Sequence, residues 1–386
     1  MTYTFDRLPD RRKPDAVKWN VADGELPMWV ADMDFECAPQ ILSALTARLQ
    51  HGVFGYTDIP AAWNEAYADW WRRRHGLTMD PDGLIFTTGV IPAVSSAVRK
   101  FTTPAEKVVL MTPVYNIFYN STLNNGRVVV ECPLRFENGV YDIDFAAFEE
   151  TLSDPQVSLL ILCNPHNPVG RIWTKEELAK IGDLCKKHGV LVISDEIHCD
   201  IARPGKAYVP FASVNDTCRD ISVTCIAPTK CFNLAGLQTA AVYAYDPVLR
   251  HRIRRALNTD EVAEPNAFAI DAAVAAFNEG ESWLDEMNAY VFKNRDLAEE
   301  ILRTEAPFLT PVKGDATYLL WVNCAAVTSD ARDFCKRLRE ETGLILSNGS
   351  QYGKTGETFV RVNLATSKEN VEDGIRRLIR FAASLR

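Results

Sequence analysis

Between residues 83 and 246 the chain repeats one pattern: a short, nearly continuous apolar run, a polar stretch, then another apolar run. The runs are "GLIFTTG" (83–89), "KVVLMTP" (107–113), "RVVVECP" (127–133), "VSLLILCNP" (157–165), "VLVISDE" (190–196), "ISVTCIAP" (221–228) and "TAAVYAYD" (239–246). A strand with one wet face alternates apolar and polar residues, so a run without alternation is a strand buried on both faces. Helical stretches separate most of the runs. In one of them, "TKEELAKIGDLCKKH" (174–188), Thr174 and Glu177 make a capping-box pattern. Buried strands alternating with helices predict an α/β fold built on a mostly parallel sheet covered by helices.

The flanks read differently. "PQILSALTARLQ" predicts a helix from Pro39 to Leu49, with apolar positions 41, 42, 45 and 49 on one face, and another helix spans Ala61 to Arg74. A long amphipathic helix is expected from about Ser282 to Arg303. The remaining residues mix strands and helices ("ATYLLWVN", "SDARDFCKRLREETG", "TFVRVNLA", "KENVEDGIRRLIRFAASL"), a second, smaller α/β domain completed by the polar, proline-bearing amino-terminal segment. The expected division is 1–48 as amino-terminal arm and part of the small domain, 49–283 as the large domain, and 284–386 as the small carboxyl-terminal domain.

Charge and cysteine usage exclude several function classes. Forty-two basic against fifty-one acidic side chains leave a net charge of −9, and no basic block interleaves with aromatics, so no nucleic-acid partner is expected. None of the ten cysteines forms a Cys-x-x-Cys pair, which gives zinc no support. The first twenty residues lack an apolar signal core and no run reaches about 18 apolar residues, so the expectation is a cytoplasmic protein with no membrane partner.

Ligands of open α/β sheets bind beyond the carboxyl ends of the strands, so the residues just past each run carry the functional signal. After "GLIFTT" comes Gly89-Val90-Ile91-Pro92, a turn into a helix whose free N–H groups suit a phosphate. After "KVVLM" comes Tyr115, a flat ring. After "SLLILC" come two Asn-Pro steps, Asn164-Pro165 and Asn167-Pro168, which proline keeps out of helix and central strand; they form a rigid loop presenting Asn167. After "VLVIS" comes Asp195, a carboxylate that burial would penalise unless it faces a cation. After "ISVTCIAPT" comes Lys230, which desolvation would turn into a better nucleophile. Each feature alone has an ordinary reading: a plain turn, a core ring, a tight loop, a structural ion pair, a lysine whose stem lies over apolar surface. Together they describe a receptor for a phosphorylated, aromatic, aldehyde-bearing cofactor.

The order Gly turn, Tyr115, Asn-Pro-x-Asn-Pro-x-Gly, Asp-Glu and Thr-Lys resembles the fold-type I pyridoxal-phosphate enzymes related to aspartate aminotransferase, from about residue 17 to 370. The spacings, 28 residues from Asn167 to Asp195 and 35 from Asp195 to Lys230, fit that family. The segments "LPMWVADMDF", "HGVFGY", "NPHNPVGRIW", "SDEIHCD" and "TKCFNLAGLQ" are similar to one subgroup, the cystathionine β-lyases (C–S lyases) of MalY/PatB type.

The resemblance implies an aspartate-aminotransferase-like large domain, pyridoxal 5'-phosphate as cofactor, a small amino-acid substrate and a homodimer. It also implies residue roles. Lys230 bonds the cofactor aldehyde, Asp195 pairs with the pyridine nitrogen, and Asn167 donates to the phenolic oxygen. His198 stands where many relatives place a tyrosine near that oxygen, and Tyr115 stacks on the ring. Val90, Ile91 and Thr229 serve the phosphate, and Tyr56 reaches the phosphate of the neighbouring subunit. Arg361 takes the substrate carboxylate with its two-pronged fork. Where many aminotransferases carry serine and a basic residue for the phosphate, this chain has Ala227 and Gln238. Three functions compete: a β-lyase cutting the C–S bond of cystathionine, an aminotransferase, and a regulator that keeps the fold and binds partners.

Overall fold

The computed structural model describes residues 3–12 and 15–386; the expected amino-terminal arm includes residues 1, 2, 13 and 14, which lie outside the described residues. All seven apolar runs are strands of one sheet, in the order Ile85–Thr87, Ala240–Tyr243, Ser222–Ile226, Leu191–Asp195, Val157–Cys163, Lys107–Thr112, Val128–Pro133. Only Ala240–Tyr243 runs against its neighbours, so the other six strands share one direction and end at one edge.

The non-alternating runs are explained by the two cores they separate. Val109, Met111, Leu160 and Leu162 face one side, where Leu178 and Ile181 of the helix Lys175–His188 cover them. Their sequence neighbours Val108, Leu110, Leu159 and Ile161 face the other, under Val94, Ala97 and Val98 of the helix Val90–Phe101. Burying each such Val or Leu side chain contributes about 1.5–3 kcal/mol. The helix Lys175–His188 begins with the expected capping box: Thr174 Oγ1 accepts from Glu177 N at 3.1 Å and Glu177 Oε2 from Thr174 N at 2.8 Å.

The long helix Glu281–Glu305 leads into a four-stranded antiparallel sheet ordered Thr310–Pro311, Leu319–Asn323, Phe359–Asn363, Ser347–Asn348, backed by the helices Ala331–Thr342 and Lys368–Ser384. Leu26–Pro27 pairs in parallel with Leu344–Ile345, which ties the amino-terminal segment to this smaller unit. The helix Pro39–His51, expected in the arm and small domain, instead packs on Ala269–Glu279 and puts its one buried side chain, Ile41, in the aromatic core around Trp63, Tyr67 and Trp70. A two-strand hairpin, Arg135–Glu137 with Val140–Asp142, went unread in the sequence. Its turn, Asn138-Gly139, has φ of 52° and 79°, the left-handed pair that such hairpins need.

Candidate active site

Because six strands end at one edge, the loops beyond them converge. Val90, Ile91, Tyr115, Asn167, Asp195, His198, Thr229 and Lys230 line a single cavity of about 200 Å³ there. Arg361 reaches the same place from the smaller unit's strand Phe359–Asn363. Tyr56 does not: it is fully exposed, on the segment between the helices Pro39–His51 and Ala61–His75.

Lys230 lies just past the strand Ser222–Ile226, and its amine donates to the Ala31 carbonyl at 2.5 Å. Burial, then the nearby Arg361 charge, bring the amine down to about 8, while Asp32 and Asp195 pull it up. Near neutral pH such an amine keeps a sizeable uncharged fraction, which a nucleophile or base requires.

Asp195 ends the strand Leu191–Asp195, is buried, and receives a hydrogen bond from Ile197 N at 3.1 Å. It has no ion-pair partner within 4 Å among the described residues. Burial first, with Glu196 beside it, raises its carboxyl to about 7 against the Ile197 bond and Lys230. A buried carboxylate without a counter-ion is costly, and a cation arriving in the cavity would relieve that cost. A protonated pyridine nitrogen is such a cation.

The helix Val90–Phe101 points its amino terminus at the cavity, and its N-cap is Gly89 with no capping side chain. Its first N–H groups are therefore available to an anion, the arrangement that suits a phosphate. Thr229 adds a hydroxyl to the lining, and Gln238, which replaces the basic residue of many aminotransferases, lines the same cavity.

Asn167 sits on the expected rigid loop, which is held by His166 N to Arg171 O at 2.8 Å and by the His166 Nε2 contact with Pro113 O at 2.9 Å. The buried Arg361 guanidinium donates to Asn167 Oδ1 at 3.2 Å and to the Trp29 carbonyl at 2.9 Å, and lies 5.0 Å over the Tyr352 ring. Its Nε has no partner, and no carboxylate pairs with it among the described residues. A substrate carboxylate fits that unmet charge.

His198 is buried with Nδ1 unpartnered, and burial, Lys230 and Arg361 hold its pKa down at about 3, so it is a neutral imidazole. Tyr115, raised to about 12 chiefly by burial, is a neutral phenol whose ring is braced edge-on by Phe118 at 5.6 Å.

Sequence reasoning missed the segment that roofs the site. The carbonyls of Trp29 and Ala31 receive Arg361 and Lys230, and Tyr318 donates to Ala31 O at 3.0 Å. Backbone acceptors have no side-chain signature; only the spelling "PMWVADMDF" marked the segment, and by resemblance alone.

A buried carboxylate without a counter-ion and an amine as ready as Lys230 suit a cationic aldehyde, which pyridoxal phosphate is, and the protein is a pyridoxal-phosphate-dependent enzyme. The chain belongs to the aminotransferase class I and II family, whose model matches residues 26–378. It is 43% identical over 381 residues to cystathionine beta-lyase PatB of Bacillus subtilis, covering 97% of this chain and 98% of that protein. The structure of cystalysin from Treponema denticola, which contains a pyridoxal 5'-phosphate cofactor, matches with a TM-score of 0.96 at 30% identity, over all of both chains. The pyridoxal-phosphate-bound C–S lyase of Staphylococcus hominis matches with a TM-score of 0.93 at 31% identity, over 99% of this chain and 98% of that one.

Proposed function

We propose that this pyridoxal-phosphate-dependent carbon–sulfur lyase acts on L-cystathionine and related cysteine thioethers, releasing homocysteine or another thiol, pyruvate and ammonia by α,β-elimination. The observation that carries the reading is Arg361, a buried guanidinium lacking a carboxylate, set near enough to Lys230 to help hold that amine poised near neutrality. The named activity of PatB and of the Staphylococcus hominis enzyme supports the choice of C–S cleavage.

When bound, the cofactor supplies an electron sink for the Cα carbanion. The chain supplies the rest. Arg361 grips the α-carboxylate and so sets which Cα bond stands across the cofactor ring. Asp195, ionised against the pyridine nitrogen, keeps that nitrogen protonated. Lys230, displaced by the substrate amine, takes the Cα proton on Nζ. With a thioether sulfur on Cβ, the Cα electron pair then forms the Cα=Cβ bond as the Cβ–S bond breaks. The sulfur leaves as a thiolate that takes up a proton, and water hydrolyses the released enamine to pyruvate and ammonia. Val90, Ile91 and Thr229 would hold the phosphate, Asn167 would donate to the phenolic oxygen with His198 nearby as a neutral ring, and Tyr115 would stack on the ring.

The active unit is a homodimer in this reading, with Tyr56 serving the partner's phosphate. Support comes from the exposed apolar residues Leu49, Val53, Phe54 and Tyr56, of which Phe54 leans on Phe268 at 5.5 Å while Tyr56 is wholly exposed. All ten cysteines are free, in keeping with a reducing cytoplasm. No helix among the described residues is long and apolar enough to cross a membrane.

The test is incubation of the purified yellow protein with L-cystathionine and no keto acid. Pyruvate and homocysteine are expected. A requirement for a keto-acid acceptor, with formation of its amino acid, would make the protein an aminotransferase. A cofactor-bound protein that turns over no amino acid would make it a regulator.

A further inference from the structure

We infer that Tyr318 is a positioning residue for Lys230: the two share the Ala31 carbonyl, and Tyr318 keeps that oxygen satisfied when the amine leaves it for the cofactor aldehyde. Lys230 Nζ donates to Ala31 O at 2.5 Å and Tyr318 OH donates to the same atom at 3.0 Å. Tyr318 is wholly buried, so water cannot take over its bond.

The carbonyl is fixed from both sides. Asn363 Nδ2 donates to Val30 O at 2.5 Å and to Asp32 O at 2.7 Å, which pins the residues before and after Ala31. The aim of the tyrosine is set at a cost. Thr317, just before it, is a buried β-branched residue at φ 64°, a left-handed conformation that such side chains avoid. Thr317 N donates to Ile201 O at 2.8 Å, which holds that conformation in place.

Lys230 has two situations in any reaction at this site. Joined to the cofactor aldehyde it cannot donate to Ala31 O, and released it returns there. Ala31 lines the cavity and is half-buried, so its carbonyl, left by its only donor, would lose a hydrogen bond that the crowded site replaces poorly. With Tyr318 in place the carbonyl keeps one donor throughout, so the amine moves between its two positions at little cost. The hydroxyl hydrogen aimed at the shared oxygen also makes that oxygen a poorer acceptor for an ammonium, which favours the neutral amine. Arg361, Asp32, Asp195 and His198 face the amine as well; Tyr318→Phe removes only the hydroxyl and keeps the ring that meets His198 edge-on at 6.4 Å.

The inference rests on Lys230 receiving the cofactor, not on thioether cleavage, so its failure and that of the lyase reading are separable. The experiment uses the full chain freed of cofactor, as wild type and Tyr318→Phe. The rate of reductive methylation at Lys230 is followed against pH by peptide mass, and pyridoxal 5'-phosphate binding by visible absorbance. In Tyr318→Phe the pKa of the Lys230 amine should rise by about half a unit or more, and the cofactor dissociation constant should increase about three- to tenfold. A Lys230 pH profile and cofactor constant that both match wild type would overturn the inference. A lowered melting temperature with an unmoved Lys230 profile would do so too, by making Tyr318 a packing residue. Thr317→Gly keeps the hydroxyl while releasing its aim, and should shift the Lys230 profile in the same direction by a smaller amount; a wild-type profile there would contradict the role given to the strained turn.

Discussion

Arg361 Nη1 lies 3.2 Å from Asn167 Oδ1, so one hydrogen bond joins a strand of the smaller sheet to the Asn-Pro loop of the larger one. The residue proposed to grip the substrate carboxylate and the residue proposed to serve the cofactor's phenolic oxygen are thereby neighbours. Binding at one bears on the other, which makes orientation and affinity hard to separate.

Arg361→Ala should therefore raise KM and lower kcat together, because carboxylate binding and Cα orientation are lost at once. Charged hydrogen bonds are worth about 1.5–3 kcal/mol each, so kcat/KM should fall by on the order of a hundredfold. Arg361→Lys should recover little of it, since an ammonium lacks the planar fork. Steady-state kinetics on L-cystathionine decide this; a change in KM alone would reduce Arg361 to a binding contact.

Asp195→Asn should keep part of the cofactor yet slow Cα deprotonation at least tenfold, because a charge-assisted pair worth about 1.5–3 kcal/mol no longer holds the pyridine nitrogen protonated. Single-turnover absorbance with a Cα-deuterated substrate isolates that step. Unchanged rates would reassign Asp195 to structure.

The same carboxyl makes a pH prediction for the cofactor-free protein. Its folded value, about 7, lies above the ordinary 3.8. A group raised on folding contributes stability that is complete below its unfolded value and is lost as pH climbs through its folded one. Melting temperature should accordingly fall between about pH 4 and pH 7 more steeply for wild type than for Asp195→Asn. His198 and His166, held down at about 3 and about 4, act in the opposite sense across this window but equally in both proteins, so the difference between the two curves isolates Asp195. Pyridoxal 5'-phosphate should flatten the wild-type curve by supplying the missing cation. Parallel curves for the two proteins would show that Asp195 carries no such penalty.

Tyr56→Ala should weaken cofactor binding by about ten- to a hundredfold, the worth of one hydrogen bond to a charged group, without altering the Asp195 pH response. Sedimentation at assay concentration should show a dimer. A fully active monomer would remove Tyr56 from the site.

How much of this was legible in the sequence depends on which atoms do the work. The seven strands were, because residues such as Val108 and Val109 must both be apolar when each faces a different core. Lys230, Asp195 and Asn167 were, because charged and amide side chains stand out at the ends of apolar runs. Ala31 and Trp29 were not, since a carbonyl is the same in every residue. The helix Pro39–His51 was read correctly as a helix, but its single buried side chain, Ile41, says nothing in the sequence about which core receives it. The hairpin at Asn138-Gly139 carried a readable turn signal between strands of three residues, too short for periodicity to register.

The central claim is that Lys230 performs the proton transfer that C–S cleavage requires, and one measurement tests it most directly: pyruvate release from L-cystathionine by Lys230→Ala protein supplied with pyridoxal 5'-phosphate. A positioned base contributes roughly 10²–10⁴-fold, and the covalent hold on the cofactor is lost as well. The account predicts that turnover falls by at least about a thousandfold and that the pH-sensitive visible band disappears. Pyruvate release at the wild-type rate would contradict it.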